Sequence, residues 1–433
     1  MSAPRRPDCA VELDGEAVPA VAGEPVAVSL FAAGVRVLSH SAKYHRPRSF
    51  FCLSGHCGAC LMRVDGEPNV RACRAPAREG LKVERQNAFP SGKLDLLAAT
   101  DWLFPRGMDH HTMFTHPRPV NALMQKVVHQ LGGLGRLPDR SDPPLGEVHG
   151  ERVSVDVAIV GGGPAGLSAA LACAGEGRRI ALFDEGDRAG GSLLCHPAHG
   201  PDAGRALADR AAEAGVAIHE GASAFAWYPE DEGGLLAVDD RGTLTRVFAR
   251  RFVYATGGFD VNALFADNDR PGIFAARAVG ALLVRHRVLA GQRPLVLGDS
   301  PYAAALADAL GAAGCEVTRV DGVSERAVAA RGHAWVSALE IEGPAGLLRV
   351  KCDAVAVATT PAPASDLPRQ HGVRVALSEA AGGFACVVDE RGATSVPGVF
   401  ACGDVCGYRG VDGARAHGEA VGRAVAASLD EER

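Results

Sequence analysis

The chain lacks any run of roughly eighteen consecutive apolar residues, so no stretch reads as a membrane-spanning helix. Its opening, Met1-Ser-Ala-Pro-Arg-Arg-Pro-Asp8, lacks the apolar core of a secretory signal, and the expectation is a chain that is not exported. A strong excess of one charge is also missing. The formal net charge of −6 over 433 residues gives no support to binding of nucleic acid or an anionic membrane. Nor is there a disulfide framework. Of the twelve cysteines, four crowd into one segment and the others are scattered singly through apolar stretches, a distribution that suits a reducing cytoplasm. What remains is an ordinary globular composition, 47% apolar and 22% charged, with length for roughly two to four domains. Glycine, at 53 residues, falls largely in turns beside apolar runs, as in α/β proteins with nucleotide-binding loops.

One loop organises the rest: Cys52-Leu-Ser-Gly-His-Cys57-Gly-Ala-Cys60, completed by Cys73. Three cysteines spaced C-x4-C-x2-C, with a fourth at a hairpin's distance, are the ligand spacing of a plant-type [2Fe-2S] cluster. Two irons and two sulfides must be wrapped by four converging thiolates, so the first three need a tight, irregular loop. Gly55 and Gly58 supply it, since each tolerates positive φ and carries no Cβ where N–H groups approach the cluster sulfurs. From Leu61 to Ala72 the pattern is strand, Asp65-Gly66 turn and strand, which returns Cys73 beside Cys60. The competing reading is a zinc ribbon or unrelated buried thiols, but zinc ribbons favour two C-x2-C pairs and this segment has one. His56 reads as a solvated loop residue, because four thiolates already complete the site.

Around this loop, residues 1–90 read as a small β-grasp, ferredoxin-like domain. Val11 to Gly15 and Pro25-Val26 bound a first hairpin at Asp14-Gly15, Val26 to Gly34 reads as a short amphipathic helix, and Gly80 to Glu84 as a closing strand. Ser41-Ala-Lys-Tyr-His-Arg-Pro-Arg48 concentrates basic side chains just before the cluster. It is either a solvated face or a group of cations that stabilises the reduced cluster or holds a phosphate. Residues 91–152 read as a helical connector, with helical spacing over 94–104 and 120–131, prolines at 90, 105, 117 and 119, and a glycine-rich hinge over 132–150. His110, His111 and His116 have no carboxylate or thiol at ligand spacing and read as surface or interface residues.

At Val153 the character changes. Val153 to Val160 is a buried strand, followed at once by Gly161-Gly-Gly163-Pro164-Ala165-Gly166 and a helix from Leu167. This is G-x-G-x-x-G between strand and helix, the context that gives the motif its meaning. Gly161 makes the turn, Gly163 admits a pyrophosphate, Gly166 lets helix pack on strand, and the phosphate sits at the helix N-terminus. The next strand ends at Asp184, with Glu185 beside it, where a ribose hydroxyl needs an acceptor. Gly190-Gly191-Ser192 follows as a second glycine pair. Two later stretches, Ala255-Thr256-Gly257 after an apolar strand and Gly403-Asp404 after another, resemble the return segments that close the FAD site in two-dinucleotide-domain flavoproteins, with the aspartate on a ribityl hydroxyl. The domains expected are thus FAD-binding over 153–275 and 386–433, and a second, degenerate NAD-like unit over 276–385. In that unit Gly298-Asp-Ser300-Pro-Tyr-Ala303 has Ser300 and Ala303 in place of two glycines, so it reads as a structural lobe or an NADH site. The flavin unit has no C-x2-C pair, which argues against a disulfide reductase, and Cys195, Cys402 and Cys406 read as packing residues.

Lys43-Tyr-His-Arg-Pro-Arg48, Gly66-Glu-Pro-Asn-Val-Arg71, Gly161 to Gly166 and Asn268-Asp-Arg-Pro-Gly272 together make nearly the whole chain similar to the α subunit of heterotetrameric sarcosine oxidase. It also resembles small subunits of opine oxidases, hydrogen cyanide synthase and dye-linked proline dehydrogenases. The resemblance implies a subunit that carries redox cofactors beside a catalytic amine-oxidase-type flavoprotein, with further small subunits in the complex and FMN between subunits. Members hold FAD or NAD at the first nucleotide site, and Gly403-Asp404 points to FAD. The sequence departs from sarcosine oxidase in having all four cluster cysteines, and its end at Arg433 leads to the expectation of a chain without the folate-binding domain. The expected function is electron relay between flavin and [2Fe-2S] during oxidation of an amine, imino acid or opine. The rival is a self-contained NAD(P)H-dependent reductase. No residue pair suggests acid–base catalysis on a substrate.

Overall fold

The computed structural model describes residues 5–42, 44–88, 95–99, 119, 121, 150–175, 177–229, 235–240 and 242–431. Apart from a short 3-10 turn at Leu96–Ala98, the connector helices expected over 94–104 and 120–131 lie outside the described residues, as do Lys43, His110, His111, His116 and all but the end of the hinge.

Two Asp-Gly pairs shape the first domain. Asp14 (φ 50°) with Gly15 (φ 85°) and Asp65 (φ 48°) with Gly66 (φ 85°) occupy the left-handed region that a two-residue hairpin turn matched to strand twist requires. They join Cys9–Leu13 to Glu16–Ala20 and Leu61–Val64 to Glu67–Arg71. Lys82–Glu84 runs between the two hairpins, parallel to the first and antiparallel to the second, and closes a five-stranded sheet. The helix Val26–Ala32 buries Val26 through Phe31. This is the mixed, helix-covered sheet of a β-grasp domain.

The glycine-loop lobe is built on a seven-stranded sheet. Gly150–Val160 lies parallel between Ile180–Asp184 and Thr243–Tyr254; Ala217–Glu220 extends one side, Val399–Ala401 pairs with Thr243–Tyr254, and Leu235–Asp240 and Ala222–Tyr228 form an antiparallel extension. Parallel strands covered on both faces read as continuous apolar runs, as Ala-Ile-Val160 and Ile180-Ala-Leu-Phe183 do. Helix Pro164–Cys173 packs on Gly410–Asp430. A Cβ on Gly418 would stand 2.1 Å from the Ala165 carbonyl, so this close crossing admits no side chain there.

The second lobe has a parallel sheet in the order Ile273–Ala275, Ala354–Val357, Pro294–Leu297, Thr318–Val320, with helix Pro301–Ala312 and a three-stranded meander over 326–351. Its boundaries differ from those expected. Ile273–Ala275 pairs within this sheet although the sequence reading put it in the flavin unit. In the other direction, Leu367, Val373 and Val375 pack into the core of the first lobe although they fall inside 276–385. Both segments are short and apolar, so their membership is decided by which core they reach. Phe31 and Phe50 of the first domain meet Phe274 of the second lobe at 5.8 and 5.1 Å between ring centroids, joining the two in one apolar core. No helix among the described residues is long and apolar enough to cross a membrane.

Candidate functional site

The cysteine loop is irregular throughout, with Leu53 (φ 54°), Gly55 (φ 92°) and Gly58 (φ 64°) in the left-handed region. Cys52, Cys60 and Cys73 are buried, and Cys57 is exposed. The thiols approach two by two: Cys57 hydrogen-bonds Cys52 and holds it well below the ordinary thiol range, and a contact with Cys73 lowers Cys60. Among the described residues no three His, Cys, Asp or Glu side chains converge on a single-ion position. Two pairs of thiols suit a two-iron, two-sulfide core, which needs two thiolates on each iron, better than one tetrahedral ion.

The second cradle is made of backbone. Gly161 has φ 103°, and a Cβ there would lie 2.2 Å from the Ala255 carbonyl; one on Gly166 would lie 1.8 Å from the Gly161 carbonyl. Gly163 caps the helix that Pro164, Ala165 and Gly166 begin, leaving its first N–H groups facing the cavity. Asp184 holds this turn together. Its Oδ2 accepts the Gly162 N–H at 2.6 Å and its Oδ1 the Gly186 N–H at 2.8 Å, while burial pushes its carboxyl up. Both carboxylate oxygens thus brace the backbone turn, and each retains a second lone pair. Thr256 Oγ1 donates to the Ala364 carbonyl at 2.7 Å, tying Ala255-Thr256-Gly257 to the returning chain. Asp404 Oδ1 accepts the Arg409 N–H at 3.0 Å, and burial raises its carboxyl.

A single cavity of 570 Å³ joins the two cradles. Cys52 and Cys73 line it together with Gly161, Gly163, Pro164, Ala165, Asp184, Glu185, Gly191, Ser192, Ala255, Thr256, Gly257 and Asp404; Cys57, Cys60, Gly166 and Gly403 are not on its lining. The contact is fastened at Glu185. Its Oε1 lies 3.1 Å from His56 Nε2, and its carbonyl accepts a hydrogen bond from Arg74, the neighbour of Cys73. His56 is exposed, as a solvated loop residue is, and its ring also packs on Phe259 with centroids 4.6 Å apart. The basic run is not simply a solvated face. His45 is buried, 2.8 Å from the Asn87 carbonyl and 3.0 Å from Asp95, and Arg48 meets Asp269 at 3.0 Å, which brings two separate sequence motifs together.

A second cavity, of 390 Å³, lies against Gly298, Asp299, Ser300 and Asp321 of the second lobe. Ser192, Asp260, Arg277 and Asp404 line both cavities. Arg277 donates from Nε to Asp260 Oδ1 and from Nη2 to the Gly258 carbonyl, each at 2.7 Å. Nothing in the local sequence around Asp260 or Arg277 marks this pair, because neither belongs to a spaced motif. Cys402 is fully buried and burial pushes its thiol up to about 12, which fits packing, not redox exchange.

The pattern of a 2Fe-2S iron-sulfur cluster binding domain matches residues 7–88. That of pyridine nucleotide-disulphide oxidoreductase matches 155–340 and 327–421, more than half of the chain. The chain belongs to the pyridine nucleotide-disulphide oxidoreductase family. With its 2Fe-2S domain it is a member of the flavin- and iron–sulfur-dependent oxidoreductases, as its motifs imply. It is 31% identical over 337 residues to sarcosine oxidase subunit alpha of Rhizobium meliloti, covering 71% of this chain and 33% of that protein. The chain therefore spans about a third of that relative's length. It is 38% identical over 82 residues to hydrogen cyanide synthase subunit HcnA of Pseudomonas aeruginosa, covering 19% of this chain and 78% of that protein. The crystal structure of L-proline dehydrogenase from P. horikoshii shares the fold, with a TM-score of 0.73 at 22% identity over 99% of this chain and 74% of that one. Within this family the flavin lobe lacks a C-x2-C pair, so the shared feature is the dinucleotide fold.

Proposed function

We propose that this family member is the electron-transfer subunit of a heteromeric flavin-dependent oxidase or dehydrogenase acting on the C–N bond of an amine, imino acid or opine. The observation that carries the reading is the shared wall: Cys52 and Cys73 line the same cavity as Gly161, Gly163 and Asp404. In this reading Cys52, Cys57, Cys60 and Cys73 hold a [2Fe-2S] cluster, and Gly161 to Gly166 receive the pyrophosphate of FAD at the helix N-terminus. Asp184 keeps the turn open, Gly191, Ser192, Ala255, Thr256 and Gly257 wall the ribityl side, and Asp404, beside Gly403, meets a ribityl hydroxyl. Bound together, the two groups convert two-electron into one-electron transfer.

The residues of this chain do the positioning. Arg74 and His56 hold the cysteine loop against Glu185, and Arg277 presents a cation, anchored by Asp260, at the junction of the two cavities. In this reading the partner is a catalytic flavoprotein of amine-oxidase type, with FMN between the subunits; that the named relatives are themselves subunits supports a heteromeric complex. All twelve cysteines are free, which fits a cytoplasmic setting.

A second reading, a self-contained NAD(P)H-dependent reductase, is favoured by the second cavity. Against it, Ser300 Oγ accepts the Ala303 N–H at 3.2 Å and Asp321 Oδ1 accepts from Val323 and Ser324 at 2.8 and 2.9 Å, so both already brace their own loops. An anaerobic absorbance titration separates the two. Flavin bleaching only with partner and amine supports the relay; bleaching by NADH alone favours the reductase; a spectrum without flavin and cluster bands overturns both.

A further inference from the structure

The second cavity, of 390 Å³, is large enough for a small ligand, and its wall is chemically at odds with a dinucleotide. Asp260, Asp299, Asp321 and Asp404 line it, against two guanidinium groups, Arg277 and Arg326. Arg326 is already held by Glu342 at 2.6 Å, so a pyrophosphate here would meet this acidic wall with only Arg277 to offset it. At the turn itself, Ser300 and Ala303 carry side chains where glycines would let phosphate approach.

Arg277 is only partly used. Its Nε donates to Asp260 Oδ1 and one Nη2 hydrogen goes to the Gly258 carbonyl, each at 2.7 Å. The Nη1 hydrogens and the second Nη2 hydrogen have no partner among the described residues. Asp260, whose side chain is 11% exposed, likewise leaves Oδ2 without a partner among them. These unpaired atoms are not sealed inside the protein, so they face the cavities that the two residues line. The ion pair thus offers unpaired donors and an unpaired acceptor in fixed relation, while Phe265, Leu297 and Val357 give the second cavity an apolar wall.

We propose that the Asp260–Arg277 pair is a cradle for a zwitterionic amino acid in the second cavity, its carboxylate on the unpaired Arg277 donors and its ammonium on Asp260 Oδ2. Each charge of such a ligand meets its opposite, and the assembly stays neutral. A plain amine leaves the Arg277 donors unpaired, and a plain carboxylate meets the acidic wall without a compensating charge. The electron relay is untouched by this assignment, since the relay is read by flavin bleaching and the zwitterion by its own heat of binding.

The test is isothermal titration calorimetry of the full chain with glycine, with L-proline, and with two analogues of L-proline that keep its ring and lose one charge, pyrrolidine and cyclopentanecarboxylate. Glycine and L-proline bind at millimolar concentration or below. Each analogue binds about tenfold to a hundredfold more weakly than L-proline, the effect of losing one charge-assisted hydrogen-bonding group. Arg277→Met brings L-proline down to the affinity of pyrrolidine, and Asp260→Asn brings it down to that of cyclopentanecarboxylate. The analogue comparison uses wild type alone and decides the matter even where a variant fails to fold. Three results overturn the cradle: no binding of either amino acid, analogues that bind as tightly as L-proline, or a folded Arg277→Met that binds L-proline unchanged. Displacement of L-proline by NADH overturns it too, and returns the cavity to a dinucleotide.

Discussion

The Asp260–Arg277 pair at the junction of the two cavities can be tested as a unit. The contact is 2.7 Å, Arg277 adds a bond to the Gly258 carbonyl, and the side chains are 22% and 11% exposed. Unit charges about 4 Å apart attract by about 4 kcal/mol at an effective dielectric near 20. Partial exposure lowers the coupling to about 2 kcal/mol. Removing one partner strands the other charge, so Asp260→Asn and Arg277→Met should each cost about 3 kcal/mol. The double variant should cost about 4 kcal/mol, well short of the sum. Urea denaturation of all four proteins at equal cofactor content measures the cycle, and a coupling below about 0.5 kcal/mol would refute the reasoning. Burial lifts the Asp260 carboxyl above its ordinary range despite Arg277. A raised carboxyl contributes most below its unfolded value, and that contribution falls as pH rises through the folded one. Asp260→Asn should therefore lose this part of the pH dependence.

Three further outcomes follow from the geometry. Gly161→Ala puts a Cβ 2.2 Å from the Ala255 carbonyl at φ 103° and should cost about 3 kcal/mol locally, read as loss of bound flavin from the purified protein. Cys73→Ser should remove the cluster absorbance and iron while flavin content stays, because Cys73 walls the cavity without forming the glycine cradle; loss of both cofactors together would contradict separate sites. Glu24 links the first domain to the second lobe through His286 at 3.2 Å. Burial works against its charge, but hydrogen bonds from His286, Arg5 and Ser29 hold it at about 2. Its stabilisation is complete above the unfolded carboxylate value and is lost as pH falls toward 2. Glu24→Gln should therefore cost about 2 kcal/mol at pH 7 and progressively less in acid, checked by urea midpoints of both proteins across that range.

Features legible in the sequence were those in which chemistry forces consecutive residues into one shape. The cysteine spacing, the Asp-Gly hairpins and the strand–glycine–helix unit depend on local φ values and on the absence of Cβ atoms. Less legible were the roles of residues whose partners come from elsewhere. Asp184 was read as a ribose acceptor, and nothing local shows that both its oxygens also hold backbone N–H groups of the turn. His56 was read as a solvated loop residue and is exposed, but its pairing with Glu185, far along the chain, has no local signal.

By itself, then, the sequence determined the two cradles and the order of the strands and helices around them, because those follow from spacing, apolar periodicity and glycine placement within short windows. Tertiary structure alone decided that the cradles share a cavity, that Arg48 meets Asp269, and that Asp260 and Arg277 stand between two cavities. Each of those rests on how separately formed sheets and loops pack across long chain separations, and no local pattern encodes that.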